Sequence, residues 1–565
     1  MTTFPDVISI LSSVLRNVDQ YTGIFVRAGI FRKNVRRTLA REIRDQYHFS
    51  TTLTGILMRI AARQDMAEAM HILRVDPVRH LIGLVWLGAT DPAHLAFLVD
   101  GERRFLRFSK SLPPPDIGCA STMHILWLPF GPQNTRLEVR HGAMPIAVYL
   151  GKRSIAETFS IPVATHDFRR SFLRKSLALL GRWLLPGGRF DGSWVLIDKY
   201  SAADDNAEHL YRWLKAEHPE QPAFFALSKQ STDWPRLKQE GFKLIDLDSL
   251  WFFLAWLRCA WIVSSSVADF AIRPNWRSWY ADLVKHQYAY IRHGISKDFM
   301  SELNRHHVDL LLTSTRREYD SFVHDPRYAY VYSQRETELT GNARHDALFR
   351  KAAAVAVPVI VLIMPTWRKR LAGKRDMGTG LFPYSSKFTS SEFFRNWQAV
   401  LSSPALREAV RTAGLELHFS PHIYYRQQVD DFDTKGIAVH RGETSLQDLI
   451  CNTALLITDY SSLGMEAALL RRSVLYFQFD RDSFWGSDHS YSRGYFDYDR
   501  DGFGDVACTP EDLVSKAIAV IRTGCVLEER FRRRADAFFA FSDQRHCERI
   551  YAAIQSRSVP EAVCA

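Results

Sequence analysis

The stretch ALLITDYSSLGMEAALLRR at residues 454–472, followed by VLYFQF at 474–479, carries the clearest structural pattern in the sequence. Two apolar runs of strand length flank a segment with helical spacing, which predicts a βαβ unit with parallel strands. Asp459, Ser461 and Ser462 stand where the helix begins. Small hydroxyls and free backbone N–H groups at a helix start can hold an anion. Capping of the helix by Asp and Ser is the commoner reason for such residues.

Strands and helices alternate on both sides of this unit. The predicted strands are 194–197, 223–227, 261–264, 288–291 and 310–313, then 359–364, 415–419, 437–439, 454–458 and 474–479. This alternation predicts parallel sheets covered by helices. Two such series predict two Rossmann-like domains, at 191–350 and 351–555, that face a cleft. Ligands of open α/β sheets bind beyond the carboxyl ends of the strands, so the residues after each strand matter most.

The first 190 residues differ in pattern from the rest. Residues 1–77 are predicted to form a helical accessory region, because apolar residues between Leu53 and Ile72 recur at helical spacing. Short apolar runs separated by Gly, Pro and Asp predict a small β-rich domain at 78–155.

A basic amphipathic linker is predicted at 156–190. A helix there would gather aromatic residues on one side and basic residues elsewhere, as membrane-surface helices do. An ordinary helix packed on a neighbouring domain fits the pattern equally. The expected membrane contacts are Phe168, Arg170, Phe172, Arg174, Lys175 and Trp183.

Composition narrows the class of protein. The chain has 565 residues, which is too long for one hydrophobic core. Its formal net charge of +11 suits phosphate-rich partners without choosing among them. The seven cysteines are scattered and form no CxxC pair, which argues against a disulfide framework or a structural zinc site. We expect no signal peptide and no spanning helix, and a location on the cytoplasmic side of the membrane.

Two histidines follow predicted strands. His293 ends the run YAYIRHG at 288–294, where it is well placed as a general base. His422 lies beyond the strand in LELHFSPHI at 415–423, where its protonated form could neutralise a phosphate. Either could equally be a structural histidine.

Arginines stand at further strand ends and turns, in PTWRKR at 365–370, TGNARHD at 340–346 and SRGYFD at 492–497. Arginine can bind a pyrophosphate with two hydrogen bonds. Each site alone could be a solvated surface turn. All of them, however, lie at strand ends or turns of two consecutive α/β halves, and this shared position favours a binding site.

Taken together, these segments resemble the CDP-glycerol glycerophosphotransferase family of teichoic acid primases and polymerases. The resemblance covers about residues 191–555 and rests on four elements in order: His293-Gly294, PTWR at 365–368, Pro421-His422 and ITDYSS at 457–462. It implies a GT-B fold in which the C-terminal domain holds the nucleotide donor.

The implied reaction moves glycerol phosphate, or a related polyol phosphate, from a CDP-activated donor to a hydroxyl of a teichoic-acid-like or capsular polymer. By match, His293 would be the base, and His422 would hold the donor phosphates and stabilise the departing CMP. The implied donor-binding residues are Arg344, Thr366, Arg368, Thr458, Asp459, Ser461, Ser462, Glu466, Arg493 and Asp497. The displacement is expected to need no metal and no cofactor, and the family's membrane association would suit the 156–190 linker.

Departures from the family pattern leave alternatives open. Pro421-His422 reverses the usual HP order, and Ile295 follows His293-Gly294 where threonine is usual. Ribitol phosphate or a sugar phosphate could therefore replace glycerol phosphate. A GT-B glycosyltransferase using a nucleotide sugar is the alternative enzyme. A non-catalytic basic protein binding membrane or nucleic acid is the second alternative, although we expect no nucleic-acid partner.

Overall fold

The protein is described here by a computed structural model. It describes residues 69–76, 81–88, 91–112, 122–130, 134, 136–150, 188–267, 286–300, 303, 308–325, 327–328, 330, 332–372, 384–425, 427–485 and 493–558. The predicted helical region before residue 69 and the predicted linker over 156–187 lie outside these residues, and with them all six expected membrane contacts.

The β-rich region is a sandwich of two antiparallel sheets, which confirms the predicted small β domain. The sheet orders are β1-β2-β6-β5 and β4-β3-β7-β8, and apolar side chains from both sheets form one core. The strands are β1 (Ala69–Asp76), β2 (Leu81–Gly88), β3 (Leu95–Val99), β4 (Glu102–Arg104), β5 (Phe108–Leu112), β6 (Thr122–Pro129), β7 (Arg136–His141) and β8 (Met144–Leu150).

The sandwich begins earlier than predicted. The sequence predicts helix over residues 1–77, but β1 pairs antiparallel with β2 from Ala69 opposite Leu87 to Asp76 opposite Leu81. Pairing with a neighbouring strand outweighs local apolar spacing in so short a segment. The prediction of helix is therefore wrong over Ala69–Asp76.

The sandwich docks on the first α/β domain through a buried lysine. Lys110 Nζ donates hydrogen bonds to the carbonyl oxygens of Tyr330 (2.8 Å), Tyr332 (2.7 Å) and Phe322. The guanidinium of Arg335 lies 4.1 Å from the centre of the Trp127 ring. The β-rich domain is thus packed against the segment that follows the helix Arg316–Val323.

The first α/β domain has a seven-stranded, all-parallel sheet in the order β11-β10-β9-β12-β13-β14-β15. Its strands are β9 (Trp194–Ile197), β10 (Ala223–Leu227), β11 (Leu244–Asp246), β12 (Trp261–Ser264), β13 (Gln287–Tyr290), β14 (Leu310–Thr313) and β15 (Thr337–Leu339). Its helices are Asn206–Glu217, Trp234–Gln239, Leu250–Arg258, Arg316–Val323 and Arg344–Ala354. The central strands are buried on both faces, as expected where helices cover a parallel sheet.

The second α/β domain has a six-stranded parallel sheet in the order β18-β17-β16-β19-β20-β21. Its strands are β16 (Ile360–Met364), β17 (Glu416–Phe419), β18 (Ala438–Val439), β19 (Thr453–Thr458), β20 (Ser473–Phe477) and β21 (Val506–Ala507). Its helices are Lys369–Ala372, Glu392–Leu401, Pro404–Thr412, Leu446–Asn452, Leu463–Leu469, Arg481–Ser483, Tyr498–Asp501, Pro510–Arg522 and Glu529–Phe538. The βαβ unit predicted at 454–479 is β19, the helix Leu463–Leu469 and β20.

One apolar cluster runs through both α/β domains and includes Tyr290, Leu362 and Tyr460. The last helix, His546–Ser558, returns to the first domain, where Cys547, Ile550 and Ile554 join its core. The prediction that residues through 555 belong to the second domain is therefore wrong for this helix, because its buried face packs on the first. Two Rossmann-like domains facing a cleft confirm the predicted GT-B-type architecture.

Candidate active site

A cleft of 1880 Å³ lies between the two α/β domains, at the carboxyl ends of their strands. Ligand pockets commonly hold about 300–1,000 Å³, so this cleft has room for more than one ligand. Seven of the predicted site residues line it: His293, Arg344, Thr366, His422, Ser461, Ser462 and Glu466. Residues far apart in the chain meet here because parallel strands end at the same edge of a sheet.

His293 follows β13 and faces the cleft with 66% of its side chain exposed. Its Nδ1 lies 2.9 Å from Oδ2 of Asp205, a carboxylate that is 3% exposed. An ionised carboxylate accepts, so Nδ1–H donates to it and the lone pair of the neutral ring lies on Nε2. The contact fixes both the ring and its tautomer, which leaves Nε2 as a proton acceptor.

Asp205 is held ionised by its surroundings. Burial opposes its ionisation, but the charge of Arg344 and the hydrogen bond from His293 outweigh burial and lower the pKa of Asp205 to about 2. Arg344 Nη1 lies 3.0 Å from Oδ1 of Asp205. At neutral pH the carboxylate is therefore a fixed negative charge behind the imidazole.

Buried side chains fix the loop that carries His293. Arg292 has a left-handed backbone (φ +65°) and is buried, with its guanidinium 3.3 Å from Glu318. Asn206 Nδ2 donates to the Arg292 carbonyl (2.8 Å), and Asn206 Oδ1 accepts from the Arg344 amide (3.0 Å). One buried side chain thus ties together the loops of His293 and Arg344.

His422 enters the cleft from the second domain. Its Nδ1 accepts a hydrogen bond from the backbone amide of Tyr424 (3.3 Å), so the neutral ring carries its proton on Nε2. Burial, then the charges of Lys199 and His293, lower the pKa of His422 to about 4. At neutral pH the ring is therefore a neutral hydrogen-bond donor, and neutralisation of a phosphate by its protonated form stays a prediction.

Ser461 and Ser462 face His293 across the cleft. A Cβ added at Gly294 would lie 3.4 Å from Arg344 Nη2 and 3.7 Å from Ser462 Oγ. The absence of a side chain at Gly294 thus leaves space where the two domains approach each other. Ser461 Oγ accepts from the Leu463 amide (3.2 Å), so this hydroxyl also serves the helix start.

Arg344 and Glu466 link the two domains. Arg344 contacts Asp205 and the His293 carbonyl in the first domain and pairs with Glu466 from the helix Leu463–Leu469 in the second. Burial opposes the charge of Arg344, but Glu466 and Asp205 more than offset it and raise its pKa. Both side chains line the cleft and are already paired with each other, and their contact with the donor stays a prediction.

Three predicted donor contacts lie beneath the cleft. Arg368, Thr458 and Asp459 are fully buried. Arg368 pairs with Asp459 (3.0 Å) and Asp480 (2.6 Å), and Thr458 Oγ1 donates to the Met364 carbonyl (2.6 Å). Their polar groups join the ends of β16, β19 and β20, and a contact of these residues with the donor stays a prediction.

Arg493 and Asp497 do not line the cleft as far as the structure describes it. They pair with each other, and Asp497 caps the helix Tyr498–Asp501. Gly494 packs on the backbone of Lys297 and Asp298, which do line the cleft. This segment therefore supports the cleft wall.

Sequence reasoning missed Asp205, Lys199 and Trp367, all of which line the cleft. Trp367 lies with Tyr424 in an edge-to-face contact, 4.9 Å between ring centres. The signal for Asp205 was its place in the run DDNAEHLY at 204–211, at the start of the helix after β9. Nothing in the sequence indicated that it would meet His293, 88 residues later.

Within the described ranges, no group of three or more His, Cys, Asp or Glu is arranged to hold a metal ion. Among the same residues, no helix is both long and apolar enough to cross a membrane.

Known proteins were compared with this chain. It is 30% identical over 367 residues to the minor teichoic acid biosynthesis protein GgaB of Bacillus subtilis (strain 168); the match covers 64% of this chain and 39% of GgaB. The chain thus spans about two fifths of that relative.

Solved structures also resemble it. The wall teichoic acid polymerase TagF matches 69% of this chain and 98% of its own, with 13% identity and a TM-score of 0.47. UDP-GlcNAc 2-epimerase from Neisseria meningitidis matches 64% of this chain and all of its own, with 10% identity and a TM-score of 0.40.

The family model that matches describes CDP-glycerol:poly(glycerophosphate) glycerophosphotransferases, and it covers residues 189–556, both α/β domains and the last helix. The chain belongs to this family.

Proposed function

We propose that this chain transfers glycerol phosphate from CDP-glycerol to a hydroxyl group of a teichoic-acid-like or capsular polymer and releases CMP. Membership of the family supports the donor and the reaction. The observation that carries the mechanism is the His293–Asp205 pair, which faces His422, Ser461 and Ser462 across the cleft.

The acceptor hydroxyl loses its proton to Nε2 of His293 as its oxygen bonds to the β-phosphorus of the donor. The imidazolium that forms keeps its Nδ1–H on Asp205, whose negative charge stabilises it. A positioned base of this kind contributes about 10²–10⁴-fold in rate.

The bond between the β-phosphorus and the bridging oxygen breaks, and CMP leaves with the electron pair. The Nε2–H of His422 and the hydroxyls of Ser461 and Ser462 are donors placed to stabilise this charge. These side chains come from the second domain, which would hold the donor, while the base comes from the first.

The acceptor is a lipid-linked or polymeric substrate that the enzyme meets at the cytoplasmic face of the membrane. The basic and aromatic pattern at 168–183 supports such a peripheral contact. A vesicle-binding assay with anionic lipid tests it, since a chain with the basic residues of this segment replaced would stay in solution.

The donor is tested by CMP release from CDP-glycerol, CDP-ribitol and a UDP-sugar, each with the same membrane-derived primer. Fastest release with CDP-glycerol supports the proposal. Preference for CDP-ribitol would change the polyol, and UDP release from the sugar donor would replace the reaction by sugar transfer.

A further inference from the structure

Lys199 is an exposed cation at the carboxyl end of β9 that lines the cleft. It follows Asp198, a buried carboxyl group that accepts hydrogen bonds from the backbone amides of Asp205 and Ala207. The strand end and the start of the helix Asn206–Glu217 are thus tied together, which fixes the backbone of Lys199 beside Asp205.

The other cations of the cleft are mostly committed to carboxylates. The pairs are Arg212 and Arg236 with Glu208, Arg292 with Glu318, Lys297 with Asp298, Arg344 with Asp205 and Glu466, Lys351 with Asp448, and Arg441 with Asp430. Among the residues that the structure describes, no carboxylate lies within ion-pair distance of Lys199 or Arg350. Lys199 and Arg350 are therefore the two cleft cations that no ion pair holds within the described residues.

Lys199 and Arg350 differ in the groups that surround them. Burial is the main cause of the lowered pKa of His422 in the second domain, and the positive charge of Lys199 lowers it further. The same charge stabilises the carboxylate of Asp205 in the first domain. The charge of Arg350, on the helix Arg344–Ala354, acts instead on Cys547 in the last helix. Lys199 therefore lies in the cleft near His422 of the second domain and near Asp205, the partner of His293.

We propose that Lys199 binds a phosphoryl group in the cleft between His293 and His422. Its ammonium offers three N–H donors and a compact charge, which suits the non-bridging oxygens of a phosphate. The phosphoryl group is either the one transferred from the donor or the terminal phosphodiester of the acceptor. This inference rests on the proposed function for its substrates, but the anion site itself does not.

The test is calorimetric binding of inorganic pyrophosphate to the full chain at pH 8, where His422 is neutral with or without Lys199. A charge-assisted hydrogen bond supports roughly a tenfold to hundredfold change in affinity. We expect Lys199→Met to weaken binding by that factor and Lys199→Arg to retain most of it. Arg350→Met, a matched change of an exposed cleft cation, should leave affinity within about twofold.

A second readout would not respond to a general loss of structure. In Lys199→Met, NMR titration of the His422 imidazole should show its pKa raised, because a nearby positive charge has gone. An unchanged His422 titration, or equal pyrophosphate affinity in wild type and Lys199→Met, would overturn the inference.

Transfer assays then identify the source of the phosphate. A raised KM for CDP-glycerol in Lys199→Met assigns the donor phosphoryl group, and a raised KM for the primer assigns the acceptor phosphodiester. Wild type that binds pyrophosphate through Lys199 but releases no CMP would reject the proposed function and keep the anion site. If wild type releases CMP but Lys199→Met does not change pyrophosphate binding, the anion site is rejected and the proposed function is kept.

Discussion

The Nδ1 atom of His293 lies 2.9 Å from the carboxylate of Asp205, and Asp205 is itself paired with Arg344 at 3.0 Å. The histidine is exposed to the cleft and the aspartate is buried beneath it. The geometry gives the imidazole one orientation and one tautomer, with its basic nitrogen toward the space that substrates would occupy.

Asp205→Asn tests this pair. The amide keeps the shape but can hydrogen-bond to the wrong tautomer of His293, so we expect kcat to fall by about 10²-fold or more with little change in the KM for the donor. The measurement is steady-state CMP release. Asp204→Asn is the matched control, because Asp204 is more exposed and pairs with His209 instead. Unaltered kcat in Asp205→Asn would remove Asp205 from the mechanism.

Arg368→Met tests the buried network under the cleft. It leaves the carboxylates of Asp459 and Asp480 without their cation, which costs about 3–5 kcal/mol when a buried pair is broken. Urea unfolding should show this loss in the second domain. Arg411→Met, which removes an exposed pair with Glu408, should cost less than about 1 kcal/mol. A stable Arg368→Met protein that fails to bind CDP-glycerol would instead return Arg368 to the donor site.

Donor binding should take up a proton on His422. The pKa of His422 is about 4, so the ring is neutral at pH 6. The two negative charges of the donor pyrophosphate favour the imidazolium and raise this pKa, so the complex binds more protons than the free protein. Affinity should therefore rise as pH falls from about 8 to about 5.

Calorimetry of CDP-glycerol binding at pH 6, in two buffers with different ionisation enthalpies, measures this uptake directly. His422→Asn should abolish it. Proton release, or the same uptake in His422→Asn, would show that the phosphates do not lie next to this ring.

Lys110→Met tests how the β-rich domain is attached. The change leaves three carbonyl groups at Phe322, Tyr330 and Tyr332 without their donor, at a cost of about 1–3 kcal/mol each if they stay dry. Hydrogen exchange in the segment 322–332 should speed up relative to wild type. Lys238→Met, on an exposed helix position, is the control. Unchanged exchange in Lys110→Met would mean that other contacts hold the domain.

Much of the fold could be predicted because parallel strands covered by helices are apolar along their whole length. The runs at 194–197 and 454–458 therefore stand out, and the residues that follow strands, such as His293 and His422, were found. Position after a strand does not say where a side chain points. His422 reaches the cleft, whereas Asp459 turns inward to Arg368.

Asp205 was missed for a different reason. Its contact with His293 depends on how β9 and β13 are ordered in the sheet, with β12 between them. Local sequence carries no information on that order. The prediction of helix over β1 is wrong for the same reason. Pairing with β2, and not the spacing of its own apolar residues, makes this segment a strand.

The role of His293 as the base is tested by CMP release from CDP-glycerol by wild type, His293→Ala and His324→Ala, with membrane-derived primer present. His324 is an exposed histidine paired with Asp320, which makes it a matched control. We expect release by wild type and His324→Ala and a loss of about 10²-fold or more in His293→Ala. Equal release by His293→Ala and wild type would contradict it.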